Sequence, residues 1–419
     1  MRKLFFLSLL FLELVNAQGY QIDTLVINGL KKSKPSYIQK LIFNKKDVVF
    51  DSISVQNDII RLIREPAVSH AFYTLDTLKN NHLKVTYHIL ENKTLIPALD
   101  LWSTIDGELA YHLGVTDHNF LGRGYKLGLF YRKNNFDGLG LVFGNPNFIN
   151  YSFGWQGIIQ KRNTSEPVVE GTEKVFYNYK YYNGELGFSY RPSLIKTFRF
   201  DVGYLKENYE LENGYFSEKL PNFFATEKFL SKISYDHNQL EQYYYFQSGI
   251  RNQLTTSWVM GENFSGEQFF FSISNETHFF VKTKSNGNWA SRLQLGLSRN
   301  IQTPFPAFVL DNNMNLRGVG NKTYRGSMLA SFNTEYRQTL IEGKWLAIQL
   351  NGFLDTAAIR QAGDHFRSIL HSENLHLYSG IGVRLIHKYI HTAILRIDYG
   401  YSLLNDTSKG LVFGIGQFF

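Results

Sequence analysis

From about Pro97 to Phe419 the apolar positions of this chain recur with a period of two. In Tyr125-Lys126-Leu127-Gly128-Leu129-Phe130-Tyr131-Arg132 the odd positions are apolar and most even ones polar or small. Across Leu346 to Asp355 the even positions Leu346, Ile348, Leu350 and Leu354 form the apolar face. Such alternation puts successive side chains on opposite faces of a β-strand. Sixteen segments read this way: 100–114, 124–133, 138–145, 151–162, 173–180, 184–191, 197–208, 226–236, 243–256, 264–282, 288–299, 326–339, 344–357, 376–387, 391–403 and 409–419. An even count suits an antiparallel closed barrel. About 20 residues per strand and connection leaves room for the roughly 9–11 residues that span a bilayer. The pattern predicts an all-β, 16-stranded antiparallel transmembrane barrel over 97–419.

Residues 18–96 follow a different rule. Ile22 to Ile27 alternates as a short strand. Pro35 opens a helix with Ile38, Leu41 and Ile42 on one face, and a second helix starts near Asp51-Ser52, carries Ile59, Ile60 and Ile63, and stops at Glu65-Pro66. Two strands follow, Ser69 to Leu78 and Leu83 to Leu90, turned at Asn80-Asn81. The predicted order is β-α-α-β-β, an α+β domain. Ahead of it, Arg2 and Lys3, the apolar run Leu4 to Leu12 and Val15-Asn16-Ala17 read as a secretory signal over 1–17, cut before Gln18.

Composition narrows the classes. With no cysteine there is no disulfide framework and no lipid-attachment site, so the fold itself must anchor the chain in an envelope. The 35 Phe, 26 Tyr and 5 Trp suit a barrel, and the mean hydropathy of -0.24 is no objection, because alternation hides an apolar band from the average. The net charge of +8 is dispersed over strands and loops, which speaks for lumen and rim charges and against nucleic acid. No G-x-S-x-G, G-x-x-x-x-G-K-[ST] or H-E-x-x-H motif occurs, so no enzyme is expected. His371, Glu373 and His376 have poor ligand spacing. Neither a metal nor a cofactor is predicted.

Five stretches carry a resemblance. Asn119-Phe120-Leu121-Gly122-Arg123-Gly124 follows the first predicted strand, and Leu316-Arg317-Gly318 lies between the eleventh and twelfth. Phe353-Leu354-Asp355 is on the thirteenth. Tyr378-Ser379-Gly380-Ile381-Gly382-Val383-Arg384 and Leu395-Arg396-Ile397-Asp398-Tyr399-Gly400 supply the next two. Together with the β-α-α-β-β unit and a last strand closing on Phe419, they resemble the BamA/TamA superfamily of outer-membrane assembly and secretion barrels, in a form with a single polypeptide-transport-associated (POTRA) domain. Val319 stands where that family usually has an aromatic, and Ala357 where it has a glycine.

The resemblance implies a Gram-negative outer-membrane barrel with its POTRA domain in the periplasm. A loop over about 300–325 would fold inward, its tip Leu316, Arg317 and Gly318 meeting Asp355 and Phe353. Independently of the family, the period of two turns Asp355 to the lumen, where a wet pair with Arg317 would contribute about 1–2 kcal/mol. Gly414, Gly416 and Phe419 would form a lateral seam between the last and first strands, and Phe419 would mark the strand for insertion. Implied partners are unfolded outer-membrane or secreted client polypeptides, held by β-augmentation at the POTRA edge, with outer-membrane lipid and room for a periplasmic accessory protein at the POTRA. Two rival readings remain open: a passive pore or structural surface barrel, and a dedicated transporter of a two-partner secretion type.

Overall fold

A computed structural model describes residues 20–103, 109–134, 136–170, 173–213, 222–243, 245–261, 268–299, 306–320, 324–388, 394–404 and 408–419. The stretch read as a signal lies outside them. The chain divides into two compact units between Asn92 and Lys93.

In the first unit, β1 (Gln21–Asn28) pairs in parallel with β3 (His82–Glu91), and β2 (Val68–Thr77) pairs with β3 antiparallel, giving the sheet order β1-β3-β2. Pro35 at the first helical position starts α1 (Pro35–Leu41), where its missing N–H costs nothing. Asp51 caps α2 (Ser52–Arg64), accepting from the amides of Ile53 at 3.1 Å and Ser54 at 2.9 Å. Ile38 and Leu41 of α1 and Val55, Ile59 and Leu62 of α2 are buried, as are Ile22, Val85, Tyr87 and Ile89 of the sheet.

One carboxylate sits inside this apolar layer. Asp58 is fully buried on α2 and accepts from the amides of Phe43 (2.8 Å) and Asn44 (3.2 Å), the Asn44 side chain (2.6 Å) and the Tyr87 hydroxyl (2.8 Å), while Arg61 pairs with it. Burial, and then the charge of Asp58, push the Tyr87 phenol well above its usual range, so the hydroxyl stays a donor. Asp58 thereby ties the α1–α2 connection to the sheet. Replacing Asp58 by Ala should cost the unit roughly 3 kcal/mol, because several buried donors lose their acceptor at once. Hydrogen exchange on the full-length protein should show lost protection at Phe43, Asn44 and α2, with the second unit unchanged.

The second unit is a closed barrel. Its wall begins with β4 (Leu95–Ser103), β5 (Leu109–Phe120), β6 (Tyr125–Asn134), β7 (Phe136–Asn145), β8 (Phe153–Glu170), β9 (Glu173–Ser193), β10 (Lys196–Asn213) and β11 (Phe223–Asn238). A short β12 (Glu241–Tyr243) precedes β13 (Phe246–Met260), β14 (Phe269–Lys282) and β15 (Gly287–Ser298). Between β15 and β18 the chain leaves the wall as a small ribbon, β16 (Phe308–Leu310) against β17 (Tyr324–Gly326). The wall resumes with β18 (Met328–Glu342), β19 (Leu346–Arg360), β20 (Leu375–His387), β21 (Ile394–Ser402) and β22 (Lys409–Ile415), whose neighbour across the closure is β4. That is sixteen antiparallel wall strands, with β12 and the ribbon apart.

The count matches the sequence reading, but through two errors that cancel. Segment 100–114 is two strands, β4 and β5, whose connection contains Asp106-Gly107, a hairpin signal. Segments 173–180 and 184–191 are one strand of 21 residues, β9. Asn183-Gly184 imitates a turn, yet Gly184 pairs with Ile159 on one side and Tyr204 on the other. Asn119 to Gly124 therefore turns the chain after the second wall strand, not the first. The last strand does not run to Phe419. It ends at Ile415, and Gly416, at φ +93°, takes the chain out of the wall.

Alternation gives the wall an inverted polarity. On β19, Leu350 and Leu354 point out while Gln349, Asn351 and Asp355 point in and are buried; on β21, Leu395, Ile397 and Tyr399 point out while Arg396 and Asp398 point in. An apolar outside with a charged inside is stable where the surroundings are hydrocarbon and every backbone group is bonded in a closed ladder. Among the described residues no helix is long and apolar enough to cross a membrane. β8 to β11 run to 18, 21, 18 and 16 residues, well beyond the roughly 9–11 needed to span. Their far ends bury Val168, Val175, Tyr177 and Tyr209 in a cluster of their own.

Candidate functional site

The segment between β15 and β18 returns into the barrel because its Asn-rich turn supplies its own hydrogen bonds. The Asp311 carbonyl accepts from the amides of Asn315 and Leu316, and the Asp311 carboxylate accepts from the Asn313 amide at 2.8 Å. The Asn312 side chain accepts from the amides of Gly318 (2.8 Å) and Gly320 (3.0 Å). Gly318 has φ +100°, a region that favours glycine, and a Cβ there would meet the Gly400 carbonyl oxygen at 2.8 Å. A Cβ on Gly400 would in turn meet the Arg317 carbonyl oxygen at 2.4 Å. Loop tip and β21 thus touch backbone to backbone. Leu316 is fully buried in a cluster with Leu310, Val319, Leu329, Ala357, Ile359 and Tyr378. The ribbon is held at its other end by Arg325, which pairs with Glu166 of β8 and donates to the Pro167 carbonyl at 3.2 Å.

The Arg317 guanidinium is wholly buried in the lumen. It grips Asp355 with two bonds, Nε to Oδ2 at 2.8 Å and Nη2 to Oδ1 at 2.9 Å, and its own amide donates to Oδ2 at 3.2 Å. Nη1 pairs with Glu335 of β18 and lies 3.6 Å from Asp398 of β21. The plane of the cation is covered by two rings, Phe353 at 3.7 Å and Phe418 at 4.3 Å. Bidentate pairing in the plane and aromatic stacking on its faces is an environment that fits arginine and not lysine. Around this centre, Arg337 donates to Glu335 at 2.5 Å, Arg384 donates to Asp398 at 2.7 Å, and Arg396 lies 3.8 Å from Asp398. Four arginines therefore share three carboxylates. Asn351 bridges Glu335 and Asp398 with its amide.

Three solved structures align with nearly the whole chain. BamA from Haemophilus ducreyi lacking POTRA domains 1–3 matches with a TM-score of 0.65 at 15% identity, over 94% of this chain and 84% of that one. CdiB from Acinetobacter baumannii gives 0.67 at 11%, over 96% and 74%. CdiB from Escherichia coli gives 0.56 at 9%, over 96% and 90%. The chain has the fold of BamA and CdiB. The resemblance read from its motifs holds at that level. No protein-family model matches the sequence, and no curated protein matches it.

Within this BamA-like barrel, Leu316, Arg317, Gly318, Phe353 and Asp355 lie together. The two family departures have visible consequences: Val319 packs into the apolar cluster with Ala357, and stacking on the arginine comes from Phe353 and Phe418 instead. The Arg317–Asp355 pair is dry, not wet as its loop position suggested, and it does not stand alone. Arg384, Arg396 and Asp398 stand in two of the five stretches that carry the resemblance but were given no part in the site, and neither were Glu335 and Arg337. The signal was present, since each occupies the inward parity of its strand.

The predicted seam residues are dispersed. Gly414 faces the lumen, where a Cβ would meet Arg396 Nη2 at 2.8 Å. Gly416 is the exit from the wall, and Phe419 is not in it: the Phe419 carbonyl accepts from Arg337 at 3.1 Å, and Phe418 lies over Arg317, Arg292 and Arg396. At positions 411, 413 and 415 the outward residues are Leu, Phe and Ile, but the next outward position would be Gln417. A primary amide in hydrocarbon is unfavourable, which fits the departure of the chain at Gly416. Among the described residues no group of three or more His, Asp or Glu side chains forms a metal site.

Removing either partner of a buried ion pair costs about 3–5 kcal/mol, because the other is left uncompensated. Arg317→Ala should release the loop tip, so limited proteolysis within 306–320 should accelerate sharply while the wall remains resistant and heat-modifiable on gels. Asp355→Ala should do the same more weakly, since Glu335 still holds the cation. The double variant should lose less than the sum, with a coupling of roughly 1–3 kcal/mol; strictly additive losses would show that the two residues act separately. Phe418→Ala removes one ring and should cost about 0.5–2 kcal/mol of loop protection.

Proposed function

We propose that this chain is an outer-membrane factor that inserts or secretes polypeptides, with residues 18–96 as a single periplasmic POTRA domain and 97–419 as the barrel. The observation that carries the reading is the inward loop fixed by Arg317 inside a wall with the fold of BamA and CdiB. The inward loop and its buried charge cluster occupy part of the lumen, which suits a passive pore less well than a barrel that places a loop. The N-terminal unit offers a docking edge. The outer edge of β1 is already occupied near its start, where Ile22 exchanges backbone bonds with the 47–50 segment, whereas among the described residues the outer edge of β2 has no backbone partner. An extended client strand would add there, since unpaired N–H and C=O groups make affinity without regard to sequence.

The wall would part at its closure. β22, with seven residues, is the shortest wall strand described, and its neighbour β4 has nine. Fewer rungs there mean fewer hydrogen bonds to exchange for a client strand. No nucleotide-binding motif is present in the sequence, so the driving force would be the client's own folding and burial in lipid. The chemistry of the site is placement and strand exchange, with no enzymatic step.

A photo-crosslinker placed at His70 or Thr74, both exposed on β2, should capture several unfolded outer-membrane or secreted polypeptides in growing cells. Depletion of the protein should lower the levels of those same polypeptides at their destination. Capture of a single secreted partner would favour the dedicated transporter. No capture, with unchanged client levels on depletion, would leave a pore or structural barrel.

A further inference from the structure

Two adjoining depressions interrupt the outward face of β6 to β11, with volumes of about 530 and 450 Å³. They share Leu141, Ile159, Gly184 and Tyr204, so they form one groove. Each lies within the roughly 300–1,000 Å³ of small-ligand sites. Phe143, Trp155 and Phe229 wall one end, and Leu129, Leu139 and Tyr182 the other. The floor is two outward glycines on neighbouring strands, in register with Ile159↔Gly184 and Gly157↔Leu186. A Cβ on Gly184 would meet nothing within 4 Å, and one on Gly157 only two backbone oxygens at 3.8 Å. Glycine inside a strand weakens it and packs nothing, so neither position is explained by contacts within the chain.

At one end the groove is bounded by Lys161, whose Nζ lies 5.8 Å from the centre of the Tyr182 ring. Its outward neighbours bring their own carboxylates: Lys133 with Asp137 at 3.2 Å, Lys206 with Glu227 at 3.2 Å, Lys180 with Glu210 at 3.8 Å. Among the described residues Lys161 has no carboxylate within 4 Å; it acts at longer range on Asp137, which Lys133 already holds, so this end of the groove keeps an excess positive charge. The chain enters the barrel at β4, and strands alternate in direction, so β8 runs away from that end and Lys161 lies towards the far rim. An apolar trough in a hydrocarbon-facing wall, ending towards the far rim in an exposed cation with no carboxylate of its own, is complementary to a lipid with a negatively charged head.

We propose that this groove binds one phosphate-bearing lipid of the far leaflet, an acyl chain lying over Gly157 and Gly184 and the phosphate meeting Lys161. The inference rests on the barrel being membrane-embedded and not on what the protein does to polypeptides. Full-length protein in a neutral detergent would be offered phosphatidylglycerol and phosphatidylcholine of identical chains, and retained lipid read by native mass spectrometry. One phosphatidylglycerol should be retained per chain, preferred about five-fold, the effect of a single lysine near an anionic surface. Lys161→Gln should abolish the preference and keep the chain-dependent retention. Gly184→Leu and Gly157→Val, each filling the floor, should abolish retention of both lipids. Equal retention of the two lipids by the unaltered protein overturns the proposal, as do filled-groove variants that retain lipid normally. Lys161→Gln lies at an exposed position and decides the matter even where a filled groove prevents folding. Protein that stays monodisperse without detergent would instead strike at the membrane reading itself.

Discussion

The placement of the inward loop, and with it the whole lumen cluster, depends on one buried cation. Arg317 is taken out of water completely, a cost of several kcal/mol that no single ion pair returns with certainty. Here two oxygens of Asp355, one of Glu335 and two aromatic faces receive it. The ligands come from three parts of the chain. Asp355 and Phe353 stand on β19, Glu335 on β18, and Phe418 beyond the end of the wall. The gain is therefore placement more than stability: a loop that could lie anywhere over the barrel has one position where its charge is satisfied. Displacing the tip would leave Asp355 without the cation that grips it, whereas Glu335 would keep Arg337 and Arg384.

This arrangement separates the loop from the wall. The ladders between neighbouring strands are closed by backbone bonds that do not involve Arg317, whereas the loop is held by side chains and by the Gly318–Gly400 approach. A barrel built this way can change its loop without unfolding. Phe418 links the two layers, since it is attached to the strand beside the closure and lies on the same guanidinium as Phe353. Movement of the last residues out of the lumen would uncover one face of Arg317. In the first unit Asp58 plays a similar part on a smaller scale, a single buried carboxylate that fixes where a connecting segment meets a sheet.

Much of this was legible in the sequence, for identifiable reasons. Periods of two and of 3.6 separate the units, and parity alone turned Asp355 inward, because a strand offers only two faces. What failed was whatever depends on pairing. Asn183-Gly184 has turn chemistry, but neighbours on both sides hold it extended within β9. Asp106-Gly107 was passed over inside an apparently continuous strand. The charge cluster needed inward parity and the register of four strands together, and neither Glu335 nor Asp398 is unusual in its own segment. Phe418 and Phe419 continued an apparent alternation, and the polar Gln417 on the outward parity was the overlooked sign that the wall had ended.

The most direct test uses the absence of native cysteine to place a single thiol at the loop tip. Leu316→Cys, a fully buried position, would be challenged with a water-soluble maleimide in native membranes, with and without Arg317→Ala. If Arg317 holds the loop in the lumen, the thiol should be protected in the first protein and label rapidly in the second, with the barrel still heat-modifiable in both. Rapid labelling while Arg317 is intact, or continued protection after its removal, would contradict the account.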